Sequence, residues 1–279
     1  MVVSRVAFQG ERGAYSELAV LHFFPNSTPI PTRSFQEVIE SLLSGTSDYA
    51  VVPIENSIEG SVNEVYDLLL QSNLYIVGET YQRIHHCLTA MKGNDIGSLK
   101  EVYSHPQALA QCRHYVNAKK LTSIPVYDTA RAVKIVKESR NKRAAAIASE
   151  RAAQIYGMEL LDIGIEDRKN NFTRFYVLSR KPEDTKPSGK DRTSLIFSVK
   201  HAPGSLVNIL SEFARREINL TKIESRPTKE TPWEYNFFTD FEGHIRDPKV
   251  RDLLKDIEPK TAFVKVLGSY KKEIIEAVY

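Results

Sequence analysis

A hydroxyl, a permanent cation and two aromatic rings fall on four consecutive residues, Phe172-Thr173-Arg174-Phe175, where a polar stretch turns into an apolar run. Such a set suits a small, ring-bearing organic anion. The preceding EDRKNN reads as a turn feeding that run, so the tetrapeptide sits at the mouth of a strand. An ordinary edge strand would carry the same residues, and their weight comes from what accompanies them. In a strand regular from Thr173 onward, Thr173 and Arg174 face opposite sides. Both serve one cleft only if they sit on the turn before pairing begins. Otherwise Arg174 fixes the loop and another cation meets the ligand.

Two further segments carry polar groups at the joints of elements. In YSHPQALAQC, Ser104 is placed as a cap or near-cap and Pro106 suits a first helical turn. Gln107 and Gln111 stand four apart, on one helical face above the Ser104 end. A hydroxyl and two amides at a positive helix end hold a carboxylate. In VVPIENSIEGSV, Glu55, Asn56 and Ser57 emerge at the carboxyl end of a buried strand, the usual rim of an α/β cleft. A loop capping the next helix reads equally well there.

The first turn, GERGAYSE, lacks the third glycine of a dinucleotide fingerprint, which argues against a nicotinamide cofactor; Tyr15 and Ser16 still offer hydroxyls at a helix start. His85 and His86 adjoin on an expected strand, where neighbours face opposite ways, so they do not chelate one metal ion. No GxSxG elbow or HExxH motif occurs. Near the C-terminus, Gly204-Ser205-Leu206-Val207 opens a helix and Glu224-Ser225-Arg226-Pro227 ends a strand. The helix start takes an anion and Glu224 an ammonium, which fits the two charged ends of an amino acid.

Positioning these groups requires alternating strands and helices, and the chain has that rhythm. The first block predicts strands at 2–8, 49–54 and 74–79 with helices at 16–24, 35–43 and 64–71. The second predicts strands at 85–90, 101–103, 124–127 and 144–147 with helices at 107–117, 129–138 and 150–156. A strand at 172–179 returns to the first block. Two α/β lobes follow, about 1–80 with 160–180 and about 81–159, with a cleft at their seam. KPEDTKPSGK, residues 181–190, is a linker. Beyond it, over 191–279, strand 193–199, helix 204–216, strands 220–226 and 235–241, helix 248–257 and strand 263–270 form a ferredoxin-like βαββαβ unit.

The whole is an α/β chain of 279 residues, 42% hydrophobic and 26% charged, as in soluble globular proteins. A net charge of only +3, dispersed, excludes a nucleic-acid stripe or a polybasic membrane anchor. No apolar run approaches the roughly 20 residues that span a bilayer. The start, MVVSRVAFQGERG, reads as strand and turn without a signal-peptide pattern. Two cysteines, Cys87 and Cys112, without CxxC, give neither a disulfide framework nor a zinc cluster, so reducing cytoplasm is expected.

In order and at fitting separations, VAFQGERGAYSE, VVPIENSIEGSV, YSHPQALAQC, NFTRFYVLSR, GSLVNIL and ESRP make the chain resemble the prephenate dehydratases over essentially its whole length. The resemblance implies a two-lobed catalytic domain of the periplasmic-binding-protein type II fold over 1–180, followed by an ACT domain. It implies conversion of prephenate to phenylpyruvate, carbon dioxide and water on the route to phenylalanine, without cofactor or metal. It also implies phenylalanine binding, with inhibition, at a subunit interface of the ACT domains, hence a homodimer or homotetramer. Because the chain starts within the dehydratase segment, a monofunctional enzyme is expected. Ala14 stands where the family commonly has threonine, and GSLV where it has GALV.

Carried onto this sequence, the resemblance assigns catalysis to Thr173, Asn56, Ser104 and Gln111. Thr173 assists the leaving hydroxyl, with Glu55, if protonated, as the competing proton source. Ser57, Gln107, Arg174 and Phe175 complete the substrate contacts, and 204–207 with 224–227 bind the effector. Arogenate, the aminated analogue, is the alternative substrate. A non-catalytic amino-acid sensor is the alternative from another class.

Overall fold

The computed structural model describes residues 3–183, 185–228 and 233–274. Val2 of the first expected strand, Asp184 of the linker and the closing 275–279 of the C-terminal unit lie outside the described residues.

The chain opens with β1 (Arg5–Gln9), α1 (Tyr15–Phe23), β2 (Thr28–Thr32), α2 (Phe35–Leu43), β3 (Tyr49–Asn56), β4 (Gly60–Ser61), α3 (Asn63–Gln71) and β5 (Tyr75–Arg83). There follow β6 (Cys87–Ala90), β7 (Glu101–Ser104), α4 (Pro106–Gln111), α5 (Arg113–Ala118), β8 (Thr122–Pro125) and α6 (Thr129–Ser139). Next come β9 (Ala144–Ala148), α7 (Glu150–Tyr156), β10 (Glu159–Ile163) and β11 (Phe172–Ser179). Two sheets result, one ordered β2-β1-β3-β11-β5 with β4 on β3, the other β10-β6-β9-β7-β8. β1 pairs in parallel with β2 and β3, and β7 with β8 and β9. Continuous apolar runs such as Val6-Ala7-Phe8 and Ala144–Ala148 are wholly buried, as strands covered on both faces require.

Where the elements depart from expectation, the cause is local chemistry. β2 is TPIPT, whose two prolines remove ladder donors; it persists as an edge strand, paired on one side to β1. The helix expected over 107–117 is broken into α4 and α5 at Cys112 (φ −112°, ψ 21°). The Gln111 carbonyl accepts from Asp167 N at 2.7 Å instead of continuing the helical ladder. Gly13 (φ +93°) lies so close to α7 that a Cβ there would meet Ala152 Cα at 2.6 Å, and Ser149 Oγ donates to its carbonyl at 2.5 Å. That approach ties the first βα turn to the second sheet's helices.

The C-terminal elements are β12 (Asp191–Ser198), α8 (Ser205–Arg215), β13 (Leu220–Pro227), β14 (Tyr235–Glu242), α9 (Pro248–Ile257) and β15 (Phe263–Lys271). They form an antiparallel sheet ordered β13-β14-β12-β15, the βαββαβ arrangement expected. Leu195, Phe197 and Phe241 from the sheet and Ile209, Phe213 and Leu253 from the helices fill its core.

By compactness the chain divides into one unit of Met1–Val65 with Thr80–Phe175 and another of Tyr66–Glu79 with Tyr176–Tyr279. In the second, the Tyr66 ring meets Phe238 edge-on at 4.7 Å and Arg192 Nη1 pairs with Glu79 Oε2 at 2.5 Å. Lys265 Nζ donates to the carbonyls of Leu69, Leu70 and Ser72 at 3.2, 3.3 and 2.5 Å. These bonds between residues far apart in sequence, invisible to local patterning, place most of α3 with the C-terminal elements. Among the described residues no helix is long and apolar enough to cross a membrane.

Candidate active site

The first unit contains a cavity of about 490 Å³, within the range of small-molecule sites. Its wall comes from the start of α1, the residues before α2, the β3–β4 turn, α4, the cap of α6 and the mouth of β11. Thr173 and Phe175 both line it, two apart on one face of β11. Because β11 begins at Phe172, Thr173 already lies in regular strand, and Arg174 between them is not among the lining residues and is 7% exposed. The structure therefore does not bring Arg174 to the cavity.

Asn56, at the end of β3, organises the mouth of β11. Its Oδ1 accepts the backbone N–H groups of Ile58 and Glu59, both at 3.0 Å. Its Nδ2 donates to Asn171 Oδ1 at 2.8 Å, Thr173 Oγ1 at 3.0 Å and, more weakly, Phe172 O at 3.3 Å. Thr173 Oγ1 thus accepts from Asn56, which leaves its own proton for a group in the cavity. Ser57 clips the same strand end: its Oγ donates to Asn170 O and accepts from Phe172 N. That role holds Ser57 outside the lining.

The polar chain continues across the cavity. Asn171, wholly buried, donates from Nδ2 to Gln111 Oε1 at 2.9 Å, and His86 Nε2 lies 3.0 Å from the same oxygen. Gln111 Nε2 donates to Glu59 Oε1 at 3.3 Å. The Tyr15 hydroxyl sits 2.5 Å from His85 O and 3.1 Å from His86 Nδ1. Gln107 and Gln111 line the wall together, as their spacing predicts. Ser104 does not: it is 0% exposed and its Oγ donates to Ile147 O at 2.6 Å, across to β9. The α4 cap is His105, whose Nδ1 accepts from Gln107 N. Glu55 pairs with Ser61 on β4 and is absent from the lining, whereas Asn56 is present.

Sequence reasoning missed Asn171 and His86. Asn171 looked like turn chemistry and His86 like half of an unusable metal pair; only three-dimensional neighbours reveal them. It also missed Arg33, the one arginine or lysine among the described lining residues. Burial pushes the His86 and His105 imidazoles below their ordinary value, the Gln111 contact pulling His86 the other way. Burial raises Asp128 to about 6, against the N–H of Arg131 that its carboxylate accepts. Tyr15, pushed well up by burial, stays a neutral donor. The lining thus carries hydroxyl and amide donors, one guanidinium from Arg33 and the carboxyl groups of Glu59, Glu64 and Asp128.

In the second unit, Ser205 and Leu206 line a smaller cavity of about 140 Å³ with Trp233, Tyr235 and Phe237. Gly204 (φ +81°) is the α8 cap, and Val207 is exposed. Glu224-Ser225-Arg226-Pro227 lies on the edge strand β13, outside that cavity. Arg226 pairs with Asp67 at 3.3 Å.

Residues 6–183 match the family model described as prephenate dehydratase, and 193–259 that of the ACT domain. Arogenate dehydratase/prephenate dehydratase 2, chloroplastic, of Arabidopsis thaliana is 43% identical over 275 residues, 95% of this chain and 72% of that protein. A structure described as GqqA, a novel type of quorum quenching acylases, aligns with a TM-score of 0.91 at 34% identity, covering 96% of this chain and 98% of that one. Prephenate dehydratase from Arthrobacter aurescens, in complex with L-Phe, aligns at 0.90 with 31% identity, covering 96% and 90%.

Proposed function

This chain belongs to the prephenate dehydratase family, and from that premise we propose how its cavity carries out that carbon–oxygen lyase reaction. Prephenate loses its ring carboxylate as carbon dioxide and its ring hydroxyl as water, leaving aromatic phenylpyruvate. The C–C bond to the carboxylate breaks with its electron pair entering the ring, and the C–O bond breaks with its pair leaving on oxygen. One proton, taken up from solvent by the departing hydroxide, completes the water. Aromatisation supplies the driving force, so the protein has to assist the departing hydroxide and keep water off the departing carboxylate.

The observation that carries the reading is the Asn56–Thr173 contact, 3.0 Å with the amide donating. It orients Thr173 with a proton to spare, beside the buried Phe175 wall. Thr173 donates to the leaving hydroxyl; as a poor acid it acts by hydrogen bonding, and such assistance is typically worth about 10²–10⁴ in rate. Phe175, with Phe35 and Ile84, gives the ring carboxylate an apolar surrounding that favours its loss. Arg33 takes the pyruvyl carboxylate in place of Arg174, and Gln111 and Gln107 donate to the remaining carboxylate oxygens. Ser104, at the end of β7, acts behind the wall, fixing the strand that leads into α4.

Phenylalanine is the small-molecule effector of the ACT unit, with Ser205 and Leu206 in its pocket and 224–227 on the sheet edge that a second copy would complete. A homodimer or homotetramer in the cytoplasm belongs to the same proposal; the buried, free Cys87 and Cys112 fit a reducing compartment. Arogenate is the competing substrate, favoured by the plant relative's double name. An acylase reading lacks support in the lining histidines, which contact Tyr15, Gln111 and the Gln107 backbone rather than a serine or cysteine. One assay decides: phenylpyruvate release from prephenate, phenylalanine release from arogenate, and the effect of added phenylalanine on each. Turnover of neither substrate overturns the proposal.

A further inference from the structure

The orientation of every amide in the chain from Asn56 to His86 follows from donor counting. Backbone N–H groups only donate, so the atom of Asn56 that meets Ile58 N and Glu59 N is its oxygen. The other end is then its NH2, so the Asn171 atom 2.8 Å away is an oxygen. Asn171 therefore turns its NH2 to Gln111, and the Gln111 atom 2.9 Å away is again an oxygen. His86 Nε2 is 3.0 Å from that same oxygen and must carry a proton. A rigid turn in the backbone thus dictates, through three carboxamides, which nitrogen of a 2%-exposed imidazole is protonated.

We propose that His86 is a positioning residue for this reaction: its Nε2–H and the Asn171 amide together clamp the Gln111 carbonyl, which turns the Gln111 NH2 to the substrate. This rests on the reading that Gln111 holds substrate. Without His86, one donor of the clamp is gone and the Gln111 side chain, whose NH2 has only the 3.3 Å contact to the exposed Glu59, is held at its carbonyl by Asn171 alone. The clamp does not need His86 to titrate. The Tyr15 hydroxyl donates to His85 O at 2.5 Å; its oxygen lies 3.1 Å from Nδ1, which is bare in the neutral ring and donates to it in the imidazolium. Nε2–H persists in both. The titratable groups that face the ring are Tyr15, His85 and Glu166, whose carboxylate accepts the His86 backbone N–H at 3.0 Å.

The first test needs no substrate. In the full chain labelled with 15N-histidine at about pH 8, the His86 signals show protonated Nε2 and bare Nδ1; the reverse tautomer overturns the proposal. The second is kinetic. His86→Leu raises KM for prephenate by about 10-fold or more with kcat within about threefold, and His86→Gln, which keeps a donor near Nε2, restores KM and the wild-type pH profile. In a Gln111→Leu background His86→Leu adds nothing further to KM. A wild-type KM in His86→Leu, a pH limb lost in both His86 variants, or additive effects with Gln111→Leu would each sink it. Where His86→Leu does not fold, the tautomer and the His86→Gln kinetics decide. Wild-type protein that turns over no prephenate, yet shows the Nε2–H tautomer, marks failure of the functional reading instead.

Discussion

Asn56→Asp separates the hydrogen-bond logic at Thr173 from its packing. The change is nearly isosteric and keeps an oxygen for Ile58 N and Glu59 N, so the β3–β4 turn retains its anchor. What it alters is the atom facing both Thr173 Oγ1 at 3.0 Å and Asn171 Oδ1 at 2.8 Å, from a donor to an anionic acceptor. The Thr173 hydroxyl has one proton, and it now turns to the carboxylate instead of the substrate. A hydrogen bond to a charged group is worth about 1.5–3 kcal/mol, which has to be surrendered before Thr173 can assist hydroxide departure. At about 1.36 kcal/mol per tenfold, kcat falls about 10- to 150-fold. The assay is phenylpyruvate formation from prephenate across pH, with a parallel urea melt to confirm folding. Activity recovers as the new carboxyl is protonated at low pH, because its O–H replaces the lost N–H. A folded Asn56→Asp enzyme with kcat within threefold of wild type at neutral pH refutes the donor role of Thr173.

Other outcomes follow from the same lining. Arg33→Ala raises KM for prephenate by about 10-fold or more and leaves kcat nearly unchanged, since the carboxylate it holds does not react; an unchanged KM removes Arg33 from binding. Asp128 has its carboxyl raised from 3.8 to about 6 by burial, so the fold favours its protonated form. The resulting destabilisation is absent below about pH 4, grows as pH rises through about 6 and is constant above. Asn caps a helix as well as Asp, so Asp128→Asn gains up to about 3 kcal/mol in urea melts at about pH 7.5 and nothing at pH 4. Equal stability at both pH values contradicts it. Arg226→Ala, which removes the Arg226–Asp67 ion pair, weakens inhibition by phenylalanine; unchanged inhibition removes 224–227 from the effector response.

Much of this arrangement is legible in the residues because it depends on local periodicity. Gln107 and Gln111 share a wall since 3.6 residues per turn places them there, and Thr173 with Phe175 faces the cavity through strand alternation. The same alternation carries Arg174 away, an outcome already implicit in a strand that starts before Thr173. Ser104 was misplaced because a serine before a helical proline reads as a cap, whereas the fold buries it against Ile147 O and gives the cap to His105. β2 and β10 escaped notice: prolines hide the first, and the second is a short edge strand on β6. His86 and Asn171 owe their roles to Gln111, 25 and 60 residues away, which no spacing rule can report.

Turnover of Thr173→Val weighs most heavily on the central claim. Valine keeps the volume and the strand preference, and the Asn56 NH2 retains the oxygens of Asn171 and Phe172 as acceptors, so the cavity stays formed. The account predicts a kcat for phenylpyruvate formation lower by about 10²–10⁴, with prephenate binding within a few-fold of wild type and Thr173→Ser largely restored. A folded Thr173→Val enzyme that releases phenylpyruvate at the wild-type rate contradicts it.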